Sequence, residues 1–128
     1  MFTTLSRIAT LATFVITLGS VHLTKPATAD GKPLPAGTYT VRLTDESPTP
    51  AAGQNAESEK WVEFLKGGKV VGREIASIIP DAEIKEHVKS PMPGASGWRV
   101  DTLKGGDYVR VWIHKTGHHY LINLGAGK

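Results

Sequence analysis

The sequence predicts an all-β fold: a small antiparallel β-barrel or sandwich of about six or seven strands, built from hairpins behind an N-terminal signal. Three observations carry this expectation. Two glycine pairs, Gly67-Gly68 and Gly105-Gly106, sit between β-branched stretches, and a tight hairpin turn wants positive φ at both central positions. The C-terminal third alternates apolar and polar side chains in a register that a single turn fixes. With no cysteine in 128 residues, packing and strand pairing alone must hold the domain.

Residues 1–7 carry one positive charge, residues 8–18 are apolar apart from threonines, and Ala27-Thr28-Ala29 places small residues where a signal peptidase reads them. This order predicts a secretory signal over residues 1–29, cleaved after Ala29, and a secreted or periplasmic protein. An uncleaved anchor is the alternative. It is disfavoured because the apolar run would rise only about 16 Å as a helix, against roughly 30 Å of hydrocarbon. His22 and Lys25-Pro26 also interrupt any longer span. No stable membrane insertion is expected after processing.

Removing 29 of 128 residues leaves 99, one small domain over residues 30–128. Arg7 and Lys25 leave with the signal and no acid does, so the net charge falls from +3 to +1. That balance argues against a nucleic-acid partner.

Along this domain, Pro35-Ala36-Gly37 reads as a turn into an alternating strand over residues 38–44. Residues 45–59 are rich in Pro, Ser, Ala and acids and read as a loop. A hairpin follows over residues 60–79, turning at Gly67-Gly68 and ended by Pro80; a simple register sets Trp61 opposite Glu74 and Val62 opposite Arg73. Glu63 and Glu74 would then share a face, an arrangement common on the wet side of a hairpin. Residues 81–89 are ambiguous. Ile84 and Val88 suit a helix, whereas Ile84, Glu86 and Val88 alternate, and the alternation favours a strand. Residues 90–97 (SPMPGASG) are a loop by composition.

A turn at Gly105-Gly106 pairs Leu103 with Tyr108, Asp101 with Arg110, Arg99 with Trp112 and Trp98 with Ile113. Trp98, Val100, Thr102, Val109, Val111 and Ile113 then share one face. A last strand over residues 120–124 adds Tyr120, Ile122 and Leu124 to it. This three-stranded meander is the expected core, and each such side chain contributes roughly 1.5–3 kcal/mol when buried. Residues 61–71 and 99–109 share Leu-Lys-Gly-Gly at an offset of 38, a likeness that tight hairpins reach through turn chemistry alone.

Two constellations could carry chemistry. On the outward face of the meander, Arg99, Trp112 and Leu121 form one row, Asp101, Arg110 and Asn123 the next, and Leu103 with Tyr108 closes it. An arginine beside an exposed tryptophan would make a cation–π shelf for a flat or sugar-like ligand. A further strand over the same face would turn the row into core. The second constellation is His114, His118 and His119. A two-residue turn at Thr116-Gly117 puts His114 opposite His119, and a three-residue turn puts it opposite His118. Either pair could share a Zn²⁺ or Cu²⁺ ion given a third ligand: His87, Asp107 or a loop carboxylate.

No G-x-S-x-G, S-x-x-K, H-E-x-x-H, phosphate-binding loop or dinucleotide fingerprint occurs. The sequence therefore favours a non-enzymatic binding protein without a cofactor. Its ligand or partner would be a small molecule, an envelope polymer or another protein, held at Arg99, Tyr108, Arg110, Trp112 and Leu121. The rival is a transition-metal protein using the histidines.

Overall fold

A computed structural model describes residues 16–48, 58–89, 91–94 and 96–127. Among these residues the chain forms one curled antiparallel sheet of nine strands. These are β1 (Ile16–Leu23), β2 (Ala27–Ala29), β3 (Lys32–Leu34), β4 (Gly37–Leu43), β5 (Glu59–Lys66), β6 (Lys69–Pro80), β7 (Trp98–Leu103), β8 (Tyr108–Lys115) and β9 (His118–Ala126), with a single helical turn, α1 (Ile84–His87), after β6. Hydrogen-bonded neighbours run β1-β4-β5-β6-β9, and β9 also pairs with β8, which pairs with β7. Near its end β9 leaves β6 and takes up β2 through Gly125↔Thr28 and Ala126↔Ala27. The curl brings Leu23 to Lys25 beside Val100, Thr102 and Val109, so the two ends of the sheet approach each other as a half-barrel.

The meander has the register that its turns dictate. Every pair from Trp98↔Ile113 to Leu103↔Tyr108 is present, and β9 meets β8 with Leu121↔Trp112 and His119↔His114. The two-residue turn is therefore the one formed, with Thr116 and Gly117 both at positive φ (52° and 77°). Val109, Val111, Ile113, Ile122 and Leu124 enter the core; Val100 and Tyr120 pack against it half-buried. Trp98, expected on that face, is 44% exposed at the end of β7.

In the hairpin of β5 and β6, Gly67 and Gly68 form the turn at φ 60° and 80°. Beyond it the simple register fails. Leu65 pairs with Val70 but Phe64 pairs with Gly72, so Val71 is an extra bulged residue and every later pair slips by one. Trp61 thus faces Ile75 and Val62 faces Glu74. Glu63 and Glu74 do not act together: Glu63 pairs with Arg42 at 2.6 Å, and Glu74 accepts the Asp30 N–H at 2.8 Å.

Two further differences concern element type and extent. Residues 81–89 are not a strand; Pro80 cannot donate to a ladder, the chain leaves the sheet at Asp81, and Ile84 and Val88 turn down together onto it. Described residues of the expected signal are part of the sheet: Leu18, Val21, Leu23, Ala27 and Ala29 are all buried in the main core. Residues 1–15, with the basic start and most of the apolar run, lie outside the described residues, as does most of the expected loop 45–59.

Candidate functional site

The outward face of β6, β9, β8 and β7 has four rows, set by strand pairing. Ile79, His119 and His114 form the first, Ser77, Leu121, Trp112 and Arg99 the second, Asn123, Arg110 and Asp101 the third, and Tyr108 with Leu103 the last. The segment after Pro80 folds over the first two rows. Ile84 and Val88 pack on Ile79 and Trp112, with Leu121 half-buried beside them. Trp112 is 0% exposed, so the expected aromatic shelf is closed: the cover is α1 rather than another strand. Arg99 turns instead to Asp101 (2.8 Å) and the Pro91 carbonyl, and the cation over the Trp112 ring is Arg110, at 5.6 Å. The Arg99 bonds hold the Asp101 carboxyl below its ordinary range despite partial burial.

Burying Trp112 forces its indole N–H to find an acceptor. That acceptor is Nδ1 of His119, at 2.8 Å. An indole N–H only donates, so this Nδ1 must keep its lone pair. The single proton of His119 then sits on Nε2 and is donated to Asp81 Oδ1 at 2.6 Å. The ring is thereby locked neutral in one tautomer, since a proton on Nδ1 would oppose the indole N–H. Burial pushes the His119 pKa below its ordinary value, and the nearby Asp81 only partly offsets this. His114 stacks on His119 with ring centres 4.0 Å apart and offers Nε2 to the same Asp81 oxygen at 3.0 Å. Its Nδ1 lies 3.2 Å from the Pro93 carbonyl.

Asp81, His114 and His119 thus offer three ligand atoms within 4.8 Å of one another, a group that could hold a metal ion. Two features work against His119 as a ligand. Its Nε2 lone pair becomes free only if the bond from Trp112 is given up. The 2.6 Å between Nε2 and Oδ1 is a hydrogen-bond distance, whereas two tetrahedral zinc ligands stand about 3.3 Å apart. His114 is better placed, because a ring N–H on a backbone carbonyl is the usual support of a metal-bound histidine.

The remaining candidates separate. His118 points to the other side of β9, exposed, with Nδ1 near the Thr116 carbonyl. His87 is exposed on α1, and Asp107 lies at the far end of β8 from His114. The loop carboxylate that sequence reasoning left unnamed is Asp81, which is 38 residues from His119 and reaches it only because β6 pairs with β9.

Past α1 the face is open. A groove of about 490 Å³ is floored by Ser77, Leu121, Asn123 and Arg110, and walled by Glu83, His87 and Val88 on one side and Ser58 and Glu59 on the other. Leu121 and Arg110 were expected at a binding face and line this groove; Tyr108 is 44% exposed and does not line it. Comparison of the chain with protein-family models, characterised proteins and solved structures finds no match.

Proposed function

We propose that this is an exported, non-enzymatic binding protein whose ligand lies in the groove beside α1. The observation that carries the proposal is the division of one sheet face. α1 seals the Trp112 and His119 positions, while Ser77 and Leu121 beside them and the row holding Arg110 and Asn123 open into a cavity of about 490 Å³, within the range of small-molecule sites. The lining mixes Leu121, Leu103 and Val88 with Ser77, Asn123, Arg110, Glu59 and Glu83. That chemistry suits a ligand with apolar surface and both hydrogen-bond donors and acceptors. With Trp112 buried, no tryptophan lines this groove as a platform for a sugar ring.

The test is native mass spectrometry of untagged protein recovered from its own source without chelator. An organic adduct on the wild type that Asn123→Trp loses is the expected result, because Asn123 is exposed and an indole there fills the groove floor. A bare wild-type mass overturns the small-ligand reading.

A second reading is favoured by the Asp81–His114–His119 group: a Zn²⁺ or Cu²⁺ site. It requires His119 to abandon the Trp112 bond. A stoichiometric metal adduct that His114→Ala removes would establish it in place of the first.

A further inference from the structure

We infer that residues 21–29 are a permanent part of the folded domain, and that any processing of this chain cuts at or before the Ser20–Val21 bond rather than after Ala29. The inference rests on the export reading above only in supposing that a cut is made.

The features that make Ala27-Thr28-Ala29 resemble a peptidase motif have a structural cause. Ala27 and Ala29 are at most 1% exposed in β2. At Gly72 of β6, a Cβ would lie 3.1 Å from Leu34 and 3.4 Å from the Ala29 side chain. β6 and the β2–β3 hairpin approach so closely that a Cβ at Gly72 would press on the Leu34 side chain, and a small residue suits position 29. The apolar pattern upstream is explained in the same way. Val21 and Leu23 are 1% and 0% exposed, while Ser20 before them and His22 between them are exposed. This is the alternation of a half-buried strand.

The product of a cut after Ala29 would be a damaged domain. It would lose the pairs Val21↔Tyr39, His22↔Thr38 and Leu23↔Gly37 that a cut at Ser20–Val21 keeps, leaving β4 as a bare edge beside the core residue Tyr39. It would also lose the β2 ladder to β9 and the bond from the Gly127 N–H to the Pro26 carbonyl at 3.0 Å. Leu34, fully buried, would lose its partner Ala27. Peptidases act before folding, so burial does not shield the motif; the argument concerns what can fold afterwards. The bulge between Thr17 and Gly19 interrupts β1, so a cut at or before it spares the regular ladder from Gly19 onward, and a cut at Ser20–Val21 gives up Leu18 and two pairs of that ladder but keeps every pair from Val21 onward.

The experiment uses the full-length chain expressed with an intact export pathway. Intact mass fixes the N-terminal residue of the exported protein: a start at Val21 or earlier is expected, and a start between residues 22 and 30 overturns the inference. In parallel, Leu23→Ala in the same full-length chain is expected to lower Tm by about 10 °C or more. An unchanged Tm also overturns it, because a residue removed or outside the fold cannot alter stability. A chain that keeps Met1 and is never exported contradicts the export reading alone, and the Leu23→Ala comparison still decides the boundary.

Discussion

One sheet face carries two regions that differ in a single respect: whether α1 lies over them. Toward the β8–β9 turn, Trp112 and His119 are fully buried, and every polar atom of that pair has a partner. Toward the β7–β8 turn, the next row of the same strands presents Asn123 and Arg110 to an open groove. The strands and their alternation are the same in both. Four residues of helix, held by Ile84 and Val88, turn half of a candidate binding face into core and leave the other half as the wall and floor of a cavity. A row of side chains read from strand pairing therefore identifies a face, and only the segment that crosses the face decides which part is surface.

The largest expected effect tests the covered region. Trp112→Ala removes a fully buried indole and strands the His119 lone pair, so it should cost about 3–5 kcal/mol in urea unfolding. A cost below about 1 kcal/mol would mean that α1 does not seal this row. Asp81→Asn should be milder, about 1–2 kcal/mol, because the amide oxygen can still accept from His119 Nε2 while the charge is lost.

The covered region also gives a pH dependence of known sign. The folded pKa of His119 is depressed below 6.5, so the unfolded chain binds more protons between the two values. Its contribution to stability is present in full above pH 6.5 and is lost as pH falls from there through the folded value. Urea midpoints measured from pH 8 to pH 5 should fall below pH 6.5 in the wild type, and fall less in His119→Gln. Equal slopes in both proteins would show that His119 is not the buried neutral group.

The smallest effects lie at the edges of the two regions. Thr116 is β-branched at φ 52°, a conformation that asparagine tolerates better, so Thr116→Asn should stabilise by up to about 1 kcal/mol. In the open region, Asn123→Trp should change stability by no more than about 0.5 kcal/mol, whatever it does to ligand retention.

The meander was legible where turn and alternation agree, at Gly105-Gly106. At Thr116-Gly117 the turn chemistry favours a three-residue loop and the alternation a two-residue one, and the register that places the apolar side chains inside is the one that formed. The hairpin of β5 and β6 was legible at its turn and not beyond, since nothing in Val70-Val71-Gly72 marks which residue will bulge. Residues 81–89 were ambiguous because one helical turn offers too few residues to separate a period of 3.6 from a period of 2. At the N-terminus, buried strand alternation and small packing residues share a composition with an export signal, so two physical causes leave one pattern. Of the candidate site, a histidine opposite His114 was readable but not which one: apolar matching favours His119, turn chemistry favours His118, and the chain takes the first. Asp81 was not readable, because its place depends on β6 pairing with β9, a long-range contact that no local spacing encodes.

The most direct test of the divided face is the protonation of the His119 ring, observed through long-range proton–nitrogen NMR correlations on uniformly ¹⁵N-labelled protein at pH 7. With α1 seated and Trp112 donating to Nδ1, the ring should show a protonated Nε2 and an unprotonated Nδ1, unchanged by added Zn²⁺. In Trp112→Phe, where Nδ1 is released, the tautomer should become free to shift and zinc should perturb it. A wild-type ring protonated at Nδ1, or one whose Nε2 proton is displaced by zinc, would contradict the account and make the covered half of the face the functional site.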